Sequence, residues 1–242
     1  MNRYRATLAR RRTTGASVMG DNTTGAAEPR GVAEQFLSAV GCARDVLADP
    51  AVEEAWDAPS VLAEYSVAGL AGHLFGAVAV TVRYLSAPAP DVATAPTDAA
   101  DYYAILLGDH DPIESDLHAK LRSRSLDAAS NGHAALVEAF DETRAHLAAL
   151  VPRIDPSRLV EVHGGLVLTA SAYLETRLVE IVVHVDDLGA SVGREAAADC
   201  DADVLDHVAA TLALVAARRH GPMAVIRSLS RRERHPDAVH AF

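Results

Sequence analysis

The chain has 242 residues, half of them hydrophobic, and a formal net charge of −11. That balance supplies apolar material for one large core or two small ones, and the negative charge argues against general nucleic-acid binding. Aromatics make up only 5% of the chain, alanine and leucine dominate, and β-branched runs are few, so an all-α protein is expected.

The first 30 residues depart from this balance. Six arginines against Asp21 and Glu28 give them +4 and leave −15 on the rest. They carry little to bury, so residues 1–30 are expected to be a disordered extension and residues 31–242 the folded domain. Met19 is an alternative start. The segment lacks the apolar stretch of a secretory signal, and the chain shows no run of 18 apolar residues that would span a membrane. Cys42 and Cys200 lie far apart and form no metal or redox motif. No disulfide framework is expected, and a reducing cytoplasm fits.

A first helix is predicted from Gly31 to Ala48, with Val32, Phe36, Val40 and Leu47 on its inner side and Asp49-Pro50 as its stop. Trp56 to Ser60 reads as a turn. Ser66 is the expected N-cap of a second helix ending near Ser86-Ala-Pro88. That helix is apolar except for His73, Arg83 and Tyr84, and Gly69, Gly72 and Gly76 would let a neighbouring backbone come close. Residues 87–98 read as a loop, followed by a short helix over Asp101 to Leu107 and a break at Asp109 to Pro112.

A third long helix is predicted over Ile113 to Val151, interruptible at Asn131-Gly132 and closed by Pro152. Its Glu142 and His146 stand four apart but face away from Phe140, which marks them as a solvated surface pair. Arg158 to Thr169 reads as extended, with Gly164-Gly165 as a hairpin turn and His163 exposed beside it. After the next helix, a further one is predicted from Asp203 to Arg219. The C-terminal part is basic and amphipathic, with Val225, Ile226, Leu229 and Phe242 able to pack and Arg227, Arg231, Arg232 and Arg234 facing out. No repeat, glycine-rich phosphate loop or nucleophile elbow is visible.

The chemistry concentrates in Ser171 to Gly193. Tyr173, Arg177, Glu180, His184, Asp187 and Ser191 follow one another at steps of four and three, a single helical stripe. Leu, Val and Ile fill the remaining sides, so the helix is expected to be buried. A buried carboxylate needs a partner. Either Glu180 and His184 hold a metal ion, or Arg177 pairs with Glu180 and His184 is a satisfied core histidine. In a helical bundle, His73 on the second helix would complete a 2-His-1-carboxylate set with an open position, the form of a catalytic zinc site that other divalent metals such as iron or nickel also accept. Asp187 would then orient His184 from behind. Arginine suits a carboxylate substrate. Arg83, Arg177 and Arg227 are candidates; the first two are taken as catalytic, although both also suit ion pairs at the core edge.

Two blocks, WDAPSVLAEYSVAGLAGHL (Trp56 to Leu74) and TRLVEIVVHVDDLGASVG (Thr176 to Gly193), with IRSLSRRE as a weaker third, resemble the DinB-like, mycothiol-dependent maleylpyruvate isomerase superfamily of actinobacteria. The resemblance implies a DinB-like four-helix bundle over residues 31–242, here with a short hairpin-like segment and extra C-terminal helices. It implies a divalent metal, usually zinc, on His73, Glu180 and His184, with mycothiol as thiol co-substrate. The isomerase carries a second, sterol-carrier-like domain. Only about 50 residues follow the metal helix here, so maleylpyruvate itself is not the expected substrate. The leading expectation is thus a metal- and thiol-dependent isomerase or S-transferase acting on a small molecule, with neither nucleic acid nor membrane as partner and homodimerisation compatible with so apolar a bundle. The alternatives are a non-catalytic metal-binding bundle, or a metal-free site held by hydrogen bonds.

Overall fold

Four helices enclose the core, and each begins or ends where the sequence supplies a local stop. The computed structural model describes residues 30–91, 95–108 and 116–230. The expected disorder of the N-terminal extension, the break at Asp109 to Pro112 and the packing of Phe242 all lie outside these residues. Helix α1 (Val32–Leu47) buries Phe36, Val40, Ala43 and Leu47 completely. Asp49 caps the short α2 (Pro50–Glu54) by accepting a hydrogen bond from the Ala51 N–H. Ser66 caps α3 (Val67–Ser86), its Oγ accepting from the Gly69 N–H at 3.1 Å. Asp98 does the same for α4 (Ala99–Leu107).

The predicted third helix is two. Gly132, at φ +87°, takes a backbone that L-residues avoid and separates α5 (Asp116–Ala129) from α6 (His133–Leu150). The hairpin forms as read. Strands β1 (Leu159–Glu161) and β2 (Val167–Thr169) pair antiparallel, with Val160 opposite Leu168, and both turn glycines have positive φ. Thr169 then caps the long α7 (Ala170–Ser191) by accepting from the Ala172 N–H.

Helices α1, α3, α6 and α7 form the bundle: α1 packs on α7 and α6, and α3 packs on both α7 and α6. Leu178, Val179, Ile181, Val185 and Leu188 of α7 are fully buried at its centre. Helix α5 lies along α3, while α8 (Ala202–His220) packs against α4 and α7 and carries α9 (Pro222–Ser230). By length and composition α3 could cross a membrane, but more than half of that stretch is buried inside the protein.

Two expectations are corrected. Cys42 of α1 and Cys200, just ahead of α8, are joined in a disulfide with their Cα atoms 5.6 Å apart. Sequence distance concealed this, because the linker after α7 folds back onto α1, where Arg194 pairs with Asp49. The inference of a reducing compartment from unpaired cysteines loses its footing. On α9, Ile226 and Leu229 stay largely outside the core, 52% and 78% exposed, where this helix rests on α8.

Candidate metal centre

The polar stripe of α7 faces α3, and that juxtaposition builds the site. One ligand atom from each of His73, Glu180 and His184 lies within 4.8 Å of the others. The His73 and His184 rings meet edge to face with centroids 4.5 Å apart, and His184 Nε2 stands 3.5 Å from Glu180 Oε2. Four-coordinate zinc, with bonds of about 2.0–2.2 Å, needs such ligand atoms to close by only about an ångström.

Each of the three is also held from behind. His184 Nδ1 lies 3.1 Å from Asp187 Oδ2, one turn further along α7, which leaves Nε2 for the site. His73 Nδ1 lies 3.3 Å from Ser125 Oγ on α5, and that hydroxyl donates its proton to the Leu121 carbonyl at 2.8 Å. The serine therefore accepts from His73 Nδ1–H, which leaves Nε2 as the nitrogen available for the site. Glu180 Oε1 accepts from the Tyr103 hydroxyl at 2.9 Å. The same hydroxyl reaches the Thr176 carbonyl at 2.8 Å. Sequence reasoning anticipated Asp187 but missed Tyr103 and Ser125. The Tyr102-Tyr103 pair in an otherwise apolar short helix was a signal; for Ser125 the sequence held none.

The electrostatics of the cluster are those of a charged pair. Burial would raise the Glu180 carboxyl, but the hydrogen bond from His184 and the charge of Arg177 outweigh it and bring it down to about 2. Burial would lower His184, yet the hydrogen bonds to Asp187 and Glu180 win and push it up to about 9. Burial, then the Glu180 charge, raises Tyr103 well above the ordinary phenol range. Without metal, His184 is thus an imidazolium facing a carboxylate.

Of the candidate arginines, the structure brings Arg177 to the cluster and leaves Arg83 away from it. Arg177 is one turn before Glu180, with its guanidinium 5.6 Å from the Tyr173 ring centroid and its Nε donating to Thr176 Oγ1 at 3.2 Å. It forms no direct ion pair with Glu180 among the described residues. Arg83 is exposed, stacked over Tyr84 at 4.7 Å. Ten residues along α3 place it about 15 Å from His73. Tyr84, Tyr173 and Arg177 continue from it as an aromatic row towards Glu180. Arg227 is exposed on α9. The pair Glu142 and His146 is exposed, as is His163.

The loop before α3 closes over the same cluster. Tyr65 meets His73 edge-on, with centroids 5.7 Å apart. Val61 N–H donates to Ser191 Oγ, and Glu64, with φ +66°, pairs with Arg122 at 3.1 Å.

The model of the mycothiol maleylpyruvate isomerase N-terminal domain family matches residues 37–189, more than half of the chain and all three clustered side chains. The chain belongs to that family. No curated protein and no solved structure matches it. Membership of the mycothiol maleylpyruvate isomerase N-terminal domain family agrees with the all-α, DinB-like fold described above, its matched span running from within α1 to Gly189 near the end of α7.

Proposed function

We propose that this protein is a divalent-metal enzyme, with zinc the favoured ion and iron or nickel as the other candidates, that uses a low-molecular-weight thiol such as mycothiol to isomerise a small anionic substrate or to add the thiol's sulfur to it. The observation that carries the reading is the convergence of His73, Glu180 and His184, each backed by a different polar group. That is how proteins orient metal ligands. The donor set, two imidazoles and one carboxylate, fits zinc with a position left for an exogenous ligand. A divalent ion held there supplies Lewis acidity that makes a coordinated thiol ionise near neutral pH.

The chain's own residues do the rest. His73 and His184 offer ring nitrogens, His184 giving up its proton as an ion binds, Tyr103 and Asp187 fix Glu180 and His184, and Tyr65, Tyr102 and Tyr173 pack around the site. Arg177, which stays protonated beside these phenols, receives a substrate carboxylate; a guanidinium fork suits that group. We favour it over the distant Arg83. A thiolate that adds to a conjugated alkene leaves a single bond free to rotate. Elimination then returns the thiol and an isomerised alkene, whereas retention and protonation of the adduct is S-transfer.

The test is metal content followed by thiol titration. Purified protein is expected to hold about one divalent ion per chain, and His73→Ala, Glu180→Ala and His184→Ala each to lose it. Unchanged metal content in all three variants would refute the site. Calorimetric titration of mycothiol into metal-loaded protein separates an enzyme from a metal-binding bundle without catalysis, which would show no binding.

A further inference from the structure

The cleft beside the disulfide is built by other elements than the metal cluster. Cys42, Asp45, Asp49, Arg194 and Asp199 line it, from α1 and from the linker between α7 and α8. The two cysteines differ in exposure. Cys42 is partly exposed and lines the cleft, whereas Cys200 is only 7% exposed and does not. Which sulfur is open to an incoming thiolate decides which one is attacked.

From this difference in residue exposure and cleft lining we infer that the Cys42–Cys200 bond is a site of thiol–disulfide exchange, at which a small neutral or cationic thiol attacks Cys42. The thiolate sulfur bonds to Cys42 Sγ, the Cys42–Cys200 bond breaks, and Cys200 leaves with the electron pair as a thiolate that takes a proton from water. The product is a mixed disulfide on Cys42 and a free thiol at Cys200, with no net oxidation. A second thiol at Cys42 completes reduction and releases the symmetrical disulfide.

The cleft also selects by charge. Three aspartates and one arginine line it, and Arg194 is already engaged, pairing with Asp49 and lying 4.0 Å from Asp199. An approaching thiolate with a further negative charge is repelled, and one with an ammonium group is drawn in. Charges a few ångströms apart at a wet surface interact only modestly, and salt weakens them. The cleft shares no residue with the His73, Glu180 and His184 cluster.

The experiment uses the full chain, oxidised in air, with cysteamine, 2-mercaptoethanol and thioglycolate as cationic, neutral and anionic probes. Each rate of opening is divided by the same thiol's rate with 2-hydroxyethyl disulfide, which removes intrinsic reactivity. The corrected rates are expected to fall in that order, by roughly three- to tenfold from first to last at low salt, and to converge in 1 M salt. Asp45→Asn, which alters only the lining, is expected to narrow the spread. Peptide mapping after a brief pulse is expected to find the added thiol on Cys42. A mixed disulfide mapped to Cys200, corrected rates that ignore charge, or two free thiols after air oxidation would each overturn the inference.

Discussion

Tyr103 donates one hydroxyl to two acceptors, the Thr176 carbonyl and Glu180 Oε1, so it couples the backbone of α7 to the carboxylate that faces the histidines. Phenylalanine would fill the same space and lose both bonds. Partners behind a metal ligand typically contribute ten- to a hundredfold in affinity. Tyr103→Phe and Asp187→Asn are therefore each expected to weaken metal binding within that range while leaving the fold intact, as read by competition with a chromophoric chelator. Affinity unchanged from that of the unsubstituted protein in both variants would leave the ligands without their proposed support. The pH dependence follows from the same residues. Below about pH 9 the metal-free His184 carries a proton that binding must displace, whereas Glu180 is ionised above about pH 2 and contributes no change near neutrality. Apparent metal affinity should thus rise about tenfold per pH unit from 6 towards 9, with close to one proton released per ion. The metal-free protein should move the other way. Its His184 is raised above the unfolded value, so that stabilisation is complete below about pH 6.5 and fades as pH climbs through about 9. Calorimetry in buffers of different ionisation enthalpy measures the proton count directly.

At the level of elements, the contact between α3 and α5 is what brings Ser125 to His73, and it depends on one glycine. A Cβ at Gly72 would stand 2.0 Å from the Ser125 carbonyl oxygen, a backbone atom that cannot swing aside. Gly72→Ala should force α5 away from α3, destabilise the protein by about 1–3 kcal/mol and weaken metal binding as Ser125 leaves His73. Gly76→Ala is the matched control. Nothing lies within 4 Å of a Cβ there, so better helix propensity should stabilise the protein by about 0.5–1 kcal/mol. Denaturant melts of the two variants should shift in opposite directions; a shared direction would mean the glycines act through propensity alone. The sequence marked Gly69, Gly72 and Gly76 as equivalent because spacing records a face and not what packs on it. Spacing served better where one helix decides the matter. The stripe on α7 and the outward Glu142 and His146 were legible, because 3.6 residues per turn fixes which side chains share a side. The caps at Ser66 and the stops at Pro50 and Pro88 were legible for the same local reason. Tyr103, Ser125 and the disulfide were not. Each depends on which helices become neighbours, and a single sequence without pairing information does not encode that in any local pattern.

For the molecule as a whole, the disulfide and an ion bound at the proposed site would constrain the same stretch of chain in different ways. The bond joins residues 158 positions apart and so encloses His73, Glu180 and His184. Closing a loop of that length removes up to about 5 kcal/mol of unfolded-state entropy, and disulfides typically deliver about 2–4 kcal/mol. At about 2–4 °C per kcal/mol for a domain of this size, reduction should lower Tm by roughly 4–16 °C. A metal ion stabilises instead by mass action on the folded state, through side chains of α3 and α7 that make no contact with either cysteine among the described interactions. Independent constraints add. Four melts, oxidised and reduced, each with and without zinc, should therefore show the same zinc-induced rise in both redox states. The link that could break this additivity is the linker itself. A Cβ on Gly189 would meet Ala196 Cβ at 2.5 Å, so the segment held by Cys200 sits directly on the end of α7, five residues beyond His184. A zinc increment that shrinks on reduction would show that this contact transmits to the ligands, and that the bond positions the metal helix as well as restraining the unfolded chain.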